Sequence, residues 1–370
     1  MDREARRSDP EIGHEAVRAR MAIPSDRLHL RGQRDGIGFA RDATTMAAVW
    51  NAAAQPPHPA SLGPDPGPED RPIVGAIAPH DDYLYAGRVC RRALERIEAK
   101  IVLVIGVFHA YQRFELPEQL IFDPFWFWHT PDGPVAAADL RNDLIEQILR
   151  VAAIDSSIHE YEHSIEAVVY WLKHAHPDVT IVPVLAPAGR LGALEFYARQ
   201  LSGALVECMR SEGLEFGKDV AIVISADAIH YGADFNETRF GPGGKEAHDE
   251  AMAFDRRILT EFLAGEITPR RVEELYNTFV DPNDVHRYQW TWCGRFSIPF
   301  GLMVFGITAS AFGMRPIGWP LAYETSVSAP PLDVHMPPLG TTAPATFDHF
   351  VGYPAVSITF APLAASGDRP

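Results

Sequence analysis

Three histidines in this chain follow apolar runs, and that placement is the first sign of chemistry. Ile73-Val-Gly-Ala-Ile-Ala78 ends on Pro79-His80-Asp81-Asp82, and Ile101-Val-Leu-Val-Ile-Gly106 leads through Val107-Phe108 to His109. Val220-Ala-Ile-Val-Ile-Ser225 leads through Ala226-Asp227-Ala228-Ile229 to His230. An uninterrupted apolar run closed by polar residues reads as a buried parallel strand. Ligands of open α/β sheets bind outside the carboxyl ends of the strands, so three histidines delivered there by three strands can converge, which is how a metal centre is built. A lone histidine in such a place is more often bonded to a loop carbonyl. Repetition is what points to a site.

Two further groups accompany them. Asp227, three residues before His230, is placed to orient its ring. Glu162-His163-Ser164-Ile165-Glu166 opens a helical pattern running to His174, with Ile165, Val168, Val169 and Leu172 as its apolar stripe. His163 and Glu166, three apart, share a face of that helix. They read as a proton carrier with an orienting carboxylate, or as an acidic helix start complementing the dipole. His129 and Asp132 lie in the aromatic-rich stretch Phe122–Gly133, which reads more as cover for a sheet edge than as a pocket wall. Cys90, on an amphipathic helix expected over Gly87–Lys100, reads as a small buried thiol.

The elements needed to position these residues are those of one α/β domain: a central, mainly parallel sheet flanked by helices. Strands expected at 73–78, 101–106, 180–185 and 219–225 alternate with helical patterns at 138–151, 191–210, 246–263 and 269–279, and strand-like segments at 316–323 and 355–361 finish the sheet. The domain is expected to span residues 31–362, with an arm at 1–30 and a tail at 363–370. Ser297–Met314 is uncharged, but it contains Pro299 and three glycines and is read as a buried helix.

Composition narrows the partners. The chain has 370 residues and is 46% hydrophobic, enough for one large core. Lys+Arg 33 against Asp+Glu 49 gives a net charge of -16, which disfavours nucleic acid and anionic membrane surfaces and leaves a small-molecule substrate as the expected partner. Cys90, Cys208 and Cys293 are scattered and odd in number, which suits reduced thiols in a cytoplasm. The start has no apolar leader core, so no secretory signal is expected.

Taken together, Ile77-Ala-Pro-His80, Gly106-Val-Phe-His109, Glu162-His-Ser-Ile-Glu166, Ser225-Ala-Asp-Ala-Ile-His-Tyr231 and Cys293-Gly-Arg295 resemble the Memo family, also called AmmeMemoRadiSam system protein B. That family is similar in structure to class III extradiol dioxygenases. The resemblance implies metal ligands at His80, His109 and Cys293, with His163 and His230 as neighbouring or catalytic histidines. It also implies a functional link to AMMECR1-like and radical SAM proteins. A cysteine would then stand where the dioxygenases place the carboxylate of a facial triad, which favours copper or zinc more than that triad does. Two departures stand out. Asp81 and Asp82 follow His80 where the family usually has Ala-Gly, adding oxygen donors that suit Fe(II), and Val107-Phe108 precedes His109 where a proline is usual.

The resemblance therefore implies a non-haem metal oxidoreductase using Fe(II) first, with copper or zinc as alternatives, on a small-molecule substrate, an aromatic one among the options. The competing reading is a Memo-type metal- or peptide-binding adaptor without turnover. A zinc hydrolase with Glu166 or Asp82 as base ranks third. Asp82 and Glu166 are also the next candidates for a third ligand if Cys293 is not one.

Overall fold

The computed structural model describes residues 30–66, 72–114 and 118–363. The arm expected at 1–30 therefore lies, apart from Leu30, outside the described residues, as does the tail beyond Leu363. In chain order the main strands are β1 (Ile73–Ala78), β2 (Ile101–Gly106), β3 (Ile121–Phe122), β4 (Ala153–Ile154), β5 (Thr180–Leu185), β6 (Val220–Ser225), β7 (His230–Gly232), β8 (Gly265–Glu266), β9 (Met314–Thr325) and β10 (His349–Pro362). The helices are α1 (Ala43–Ala53), α2 (Tyr83–Leu94), α3 (Asp139–Ile148), α4 (Ser156–Tyr161), α5 (Ser164–Ala175), α6 (Leu191–Glu212), α7 (Gly244–Phe262), α8 (Pro269–Phe279) and α9 (Ser297–Ala311).

These strands form one large sheet in the order β8-β9-β10-β1-β6-β2-β5-β3-β4, with β7 pairing off β10. Its centre, β1-β6-β2-β5, is parallel throughout. Burial on both faces explains why those strands are continuous apolar runs and do not alternate. The long antiparallel pair β9–β10 extends the sheet on the β1 side, reaching well beyond the two short segments that periodicity suggested. Proline residues at 316, 320, 354 and 362 interrupt the apolar pattern there and hide the strands' length.

Helices cover both faces of the sheet. Ile105 lies near α9 and the next residue, Gly106, near α5, as alternation along a strand requires. The α9 helix is apolar on all sides and buried for most of its length, as a helix inside a domain should be. Among the described residues no helix is long and apolar enough to cross a membrane. The crossover helix expected over Gly87–Lys100 is α2, which starts four residues earlier and ends at Leu94. It begins immediately after Asp82, so His80 and Asp81 lie in a tight strand-to-helix turn.

Candidate metal centre

At the carboxyl ends of β1, β2 and β6 the chain turns outward, and the side chains delivered there meet. His80 follows β1 and is 2% exposed. Its Nδ1 lies 2.8 Å from Ser225 Oγ, and that hydroxyl donates its own proton to Ser164 O at 2.6 Å. With the hydroxyl hydrogen committed, Ser225 must accept from His80, so His80 carries its proton on Nδ1 and leaves Nε2 as a lone pair. That Nε2 is 3.6 Å from Cys293 Sγ and 3.4 Å from Asp227 Oδ2. Burial, then the nearby His109 and His163, push the His80 pKa well below its ordinary value.

His109 follows β2 and is oriented from the other side. Its Nδ1 donates to Glu162 Oε1 at 2.9 Å and its backbone N–H to Oε2 at 2.9 Å, again leaving Nε2 free. A carboxylate gripping the far nitrogen of a histidine is the usual support of a metal-binding imidazole. Burial alone would raise the Glu162 pKa. The charge and hydrogen bond of His109, with amides from the start of α5, hold it well below the carboxylate range. The same pairing raises His109 against the opposing effect of burial.

His163 stacks flat on His109, with centroids 5.0 Å apart and planes 3° from parallel, and meets His80 in a T-shaped arrangement, with centroids 5.7 Å apart and planes at 76°. Gly106 makes this possible. A Cβ there would strike Ile165 and Ser164, so only glycine lets α5 approach the end of β2 this closely. Gly294 does the same for the turn carrying Cys293, which seats against Ala226 and Ile298. Cys293 Sγ accepts the Asp227 amide at 3.1 Å, and burial, then Asp227's charge, push the thiol well above its ordinary pKa.

Among the described residues two sets bring their donor atoms within 4.8 Å of one another: His80–His109–His163 and His80–Asp227–Cys293. His80 belongs to both. The combination expected from the resemblance, His80–His109–Cys293, draws one member from each set besides the shared histidine.

Two expected roles need correction, those of Asp227 and Glu166, and Asp82 lines the cavity beside His80. Asp227 does not orient His230: its Oδ1 accepts the His80 amide at 2.9 Å, and His230 Nδ1 bonds Ala228 O at 3.1 Å. Glu166 is not near the donors. It is buried against Arg31 and accepts the amides of Arg34 and Asp35. The three-residue spacing of His163 and Glu166 at the start of α5 does not make them a pair, because Arg31 and the amides of Arg34 and Asp35 draw Glu166 away, while Glu162, in the joint between α4 and α5, turns inward instead. Asp82 turns its Oδ2 to the amide and hydroxyl of Thr342, and burial, then Asp81, push it up to about 7.

His230 lines a cavity of about 290 Å³ together with His80, His109 and His163. Burial lowers its pKa. Sequence reasoning missed Phe235 and His349 on the same wall, where Phe235 stacks on His349 at 4.8 Å and meets His230 edge-on at 5.1 Å. Nothing in the local pattern marks them, because His349 arrives on β10, more than a hundred residues after β7. His129 packs on Tyr170, and Asp132 pairs with His174 at 2.9 Å, so neither joins the site. Cys90 is buried, facing the Pro79 carbonyl, and Phe122, Phe125 and Trp128 are buried as sheet cover.

A family model described as Memo-like protein matches residues 57–327, a span that holds all five residues expected at the centre. A MEMO1 family protein of Pyrococcus furiosus is 23% identical over 266 residues, covering 70% of this chain and 83% of that protein. A MEMO1 family protein of Thermococcus kodakarensis is 28% identical over 227 residues, covering 58% and 74%. A third, from Thermotoga neapolitana, is 29% identical over 214 residues, covering 55% and 72%. With a family model matching well over half its length, from before β1 to the end of β9, the chain belongs to the Memo-like family.

Proposed function

We propose that this chain is a metal-dependent oxidoreductase of the non-haem type, akin to the class III extradiol dioxygenases, acting on a small aromatic diol. The observation that carries the reading is the matched tautomer control of His80 and His109. Each has Nδ1 committed, one to Ser225 and one to Glu162, so in each ring Nε2 is the nitrogen left for a metal, which would displace the proton that Glu162 favours on His109. Cys293 and Asp227 add a sulfur and an oxygen donor beside His80. Two imidazoles with a thiolate or a carboxylate suit Fe(II), and the sulfur also admits copper or zinc. A bound Fe(II) supplies Lewis acidity and redox chemistry at open coordination positions.

The protein's own groups do the rest. His230 donates its Nδ1 proton to the Ala228 carbonyl, so its Nε2 is the basic atom, fitted to take a proton from a substrate hydroxyl. His163, flat against His109, holds that ring in place and offers a polar edge to the ligand. Phe235 and Tyr353 wall the cavity and restrict it to something flat and small.

The test is anaerobic purification, iron reconstitution and metal analysis, followed by oxygen uptake with catechols. About one iron per chain and diol-dependent uptake are expected. Iron retained without uptake on any diol would replace this reading with a metal-binding adaptor, and failure to retain any metal would remove both.

A further inference from the structure

The Cys293-Gly-Arg295 block ends on a residue that neither donor set uses. Arg295 is 3% exposed, and among the described residues no carboxylate lies within ion-pairing distance of it. Its contacts are neutral. Nη2 donates to Tyr111 Oη at 2.8 Å and to the His286 carbonyl at 3.3 Å, and Nη1 reaches that carbonyl at 3.4 Å. The guanidinium lies 3.7 Å from the ring centre of Tyr288 and 4.6 Å from that of Phe296. A buried cation is costly unless the groups around it satisfy it, and here a hydroxyl, a carbonyl and two ring faces do so.

The position of this residue joins the two flanks of the centre. Cys293 and Arg295 are the two ends of one 3₁₀ turn. Tyr111 comes two residues after His109, in the turn that follows β2, and is 7% exposed. The bond from Arg295 to Tyr111 therefore runs from the cysteine's turn to the histidine's. It is also roofed. The Tyr111 hydroxyl, accepting from Arg295, donates to His286 Nδ1 at 3.1 Å, and the two rings stack with centroids 5.6 Å apart. His286 and Tyr288 belong to the strand Asp284–Tyr288, which pairs with Val280–Asp281 in a small hairpin. The link meets a geometric need, because His80 shares a donor set with His109 and another with Cys293, while His109 and Cys293 share none. A metal that takes both must draw the two turns together, and ligand distances of roughly 2.0–2.3 Å leave little slack. A hydrogen bond from a charged donor is stronger than a neutral one, and a planar guanidinium held at several points keeps its geometry.

We propose that Arg295 is a positioning residue of the metal centre, tying the His109 turn to the Cys293 turn through Tyr111 so that the two donor sets meet on one metal. The assignment rests on the reading that the centre holds a metal, and not on the diol chemistry.

Anaerobic titration of the full chain with Co(II) tests it, because a thiolate bound to Co(II) gives a near-ultraviolet charge-transfer band that imidazoles and carboxylates do not. The native chain should show the band, and Cys293→Ser should abolish it. Tyr111→Phe removes only the hydroxyl that Arg295 holds. It should weaken the band and lower Co(II) affinity by about tenfold or more, the usual cost of losing the support of a ligand. Arg295→Met should do at least as much, and Arg295→Lys, which keeps a charged donor, should recover part of the band. Tyr276→Phe on α8 is the control. It removes another buried hydroxyl, bonded to the Gly189 carbonyl at 2.9 Å, and should leave band and affinity as they are. A full band and native affinity in Tyr111→Phe overturn the proposal, as do an equal loss in Tyr276→Phe and a native Co(II) protein without the band. Tyr111→Phe decides the matter if Arg295→Met does not fold. Absence of diol-dependent oxygen uptake with the band pattern as expected overturns the oxidoreductase reading alone, while uptake in the native chain with an unchanged band in Tyr111→Phe overturns this assignment alone. A native chain that retains no Co(II) overturns both.

Discussion

His80 stands between two flanks that are built differently. On one side are the imidazoles of His109 and His163, whose side chains are 33% and 41% exposed and which line two cavities. On the other are Asp227 and Cys293, 2% and 6% exposed. The nitrogen flank is oriented by one carboxylate, Glu162, in the joint between α4 and α5, so its geometry is set locally. The sulfur and oxygen flank is held by contacts between distant segments, with Asp227 gripping the His80 amide and donating its own to Cys293. An open flank suits contact with a ligand. A buried one acts as an anchor, and damage to it reaches the fold as well as any metal held there.

The largest effect is expected where the flanks meet. His80→Ala removes the donor common to both sets, and metal affinity measured with Co(II) or Zn(II) should fall by more than about a hundredfold, beyond what loss of a supporting group causes. If affinity survives, one flank alone is the site and the overlap has no function. His230→Ala comes next. It should keep the metal and lose about a hundredfold or more in turnover on any diol found to be a substrate, the usual contribution of a positioned acid or base. Equal metal loss in the two variants would make His230 a ligand; unchanged turnover would leave it as a histidine that only bonds the Ala228 carbonyl.

The sequence revealed the strand ends and not the supports. Buried parallel strands announce themselves by unbroken apolar runs, so the placement of His80, His109 and His230 at one edge could be read directly from 73–78, 101–106 and 220–225. What decides the tautomer of each ring lies far off in sequence. Ser225 comes 145 residues after His80, and Glu162 53 after His109. The error over Glu166 has a distant cause: its carboxylate is taken by Arg31 and the amides of Arg34 and Asp35, far earlier in the chain, and nothing in the spacing around His163 announces them. The error over Asp227 has a local cause, since a strand followed by a turn does not fold residue i back on residue i+3 unless that turn is helical, and here the chain runs on into β7.

The nitrogen flank can be probed without touching a donor atom. Glu162→Gln keeps the size of the side chain but weakens the grip on His109 Nδ1, and metal affinity should drop by about 10- to 100-fold, the typical cost of losing such a support. Asp227→Asn serves as the comparison on the buried flank. If Glu162→Gln is silent while Asp227→Asn is severe, the metal sits with Cys293, and the histidine stack serves only the ligand. The reverse outcome places it among the three imidazoles.

The smallest effect expected is also the most specific to the buried flank, and it lies outside both donor sets. Asp255, on α7 and fully buried, accepts from Trp290 Nε1 and Trp292 Nε1 at 2.7 Å each, from Tyr323 Oη at 2.6 Å and from the Ile229 amide at 3.1 Å. It thereby ties together the turn that carries Cys293, the approach to His230 and strand β9. Asp255→Asn puts an NH₂ against indole N–H donors and should cost about 1–3 kcal/mol of stability, read as a lowered denaturant midpoint. Burial pushes Asp255 up to about 6 even though its four donors pull the other way. A carboxyl whose folded pKa lies above its unfolded value gives stability that is complete below about pH 4 and is lost as pH rises through 6. The gap between native chain and Asp255→Asn should therefore be widest near pH 4 and narrow through pH 6, with Tyr323, the titratable group in contact with it, silent over that range. A gap that widens instead would mean that the four donors outweigh burial and keep Asp255 ionised. The anchor of the cysteine flank would then be a buried anion, and neutralising it should loosen Cys293 without disturbing the His109–His163 stack.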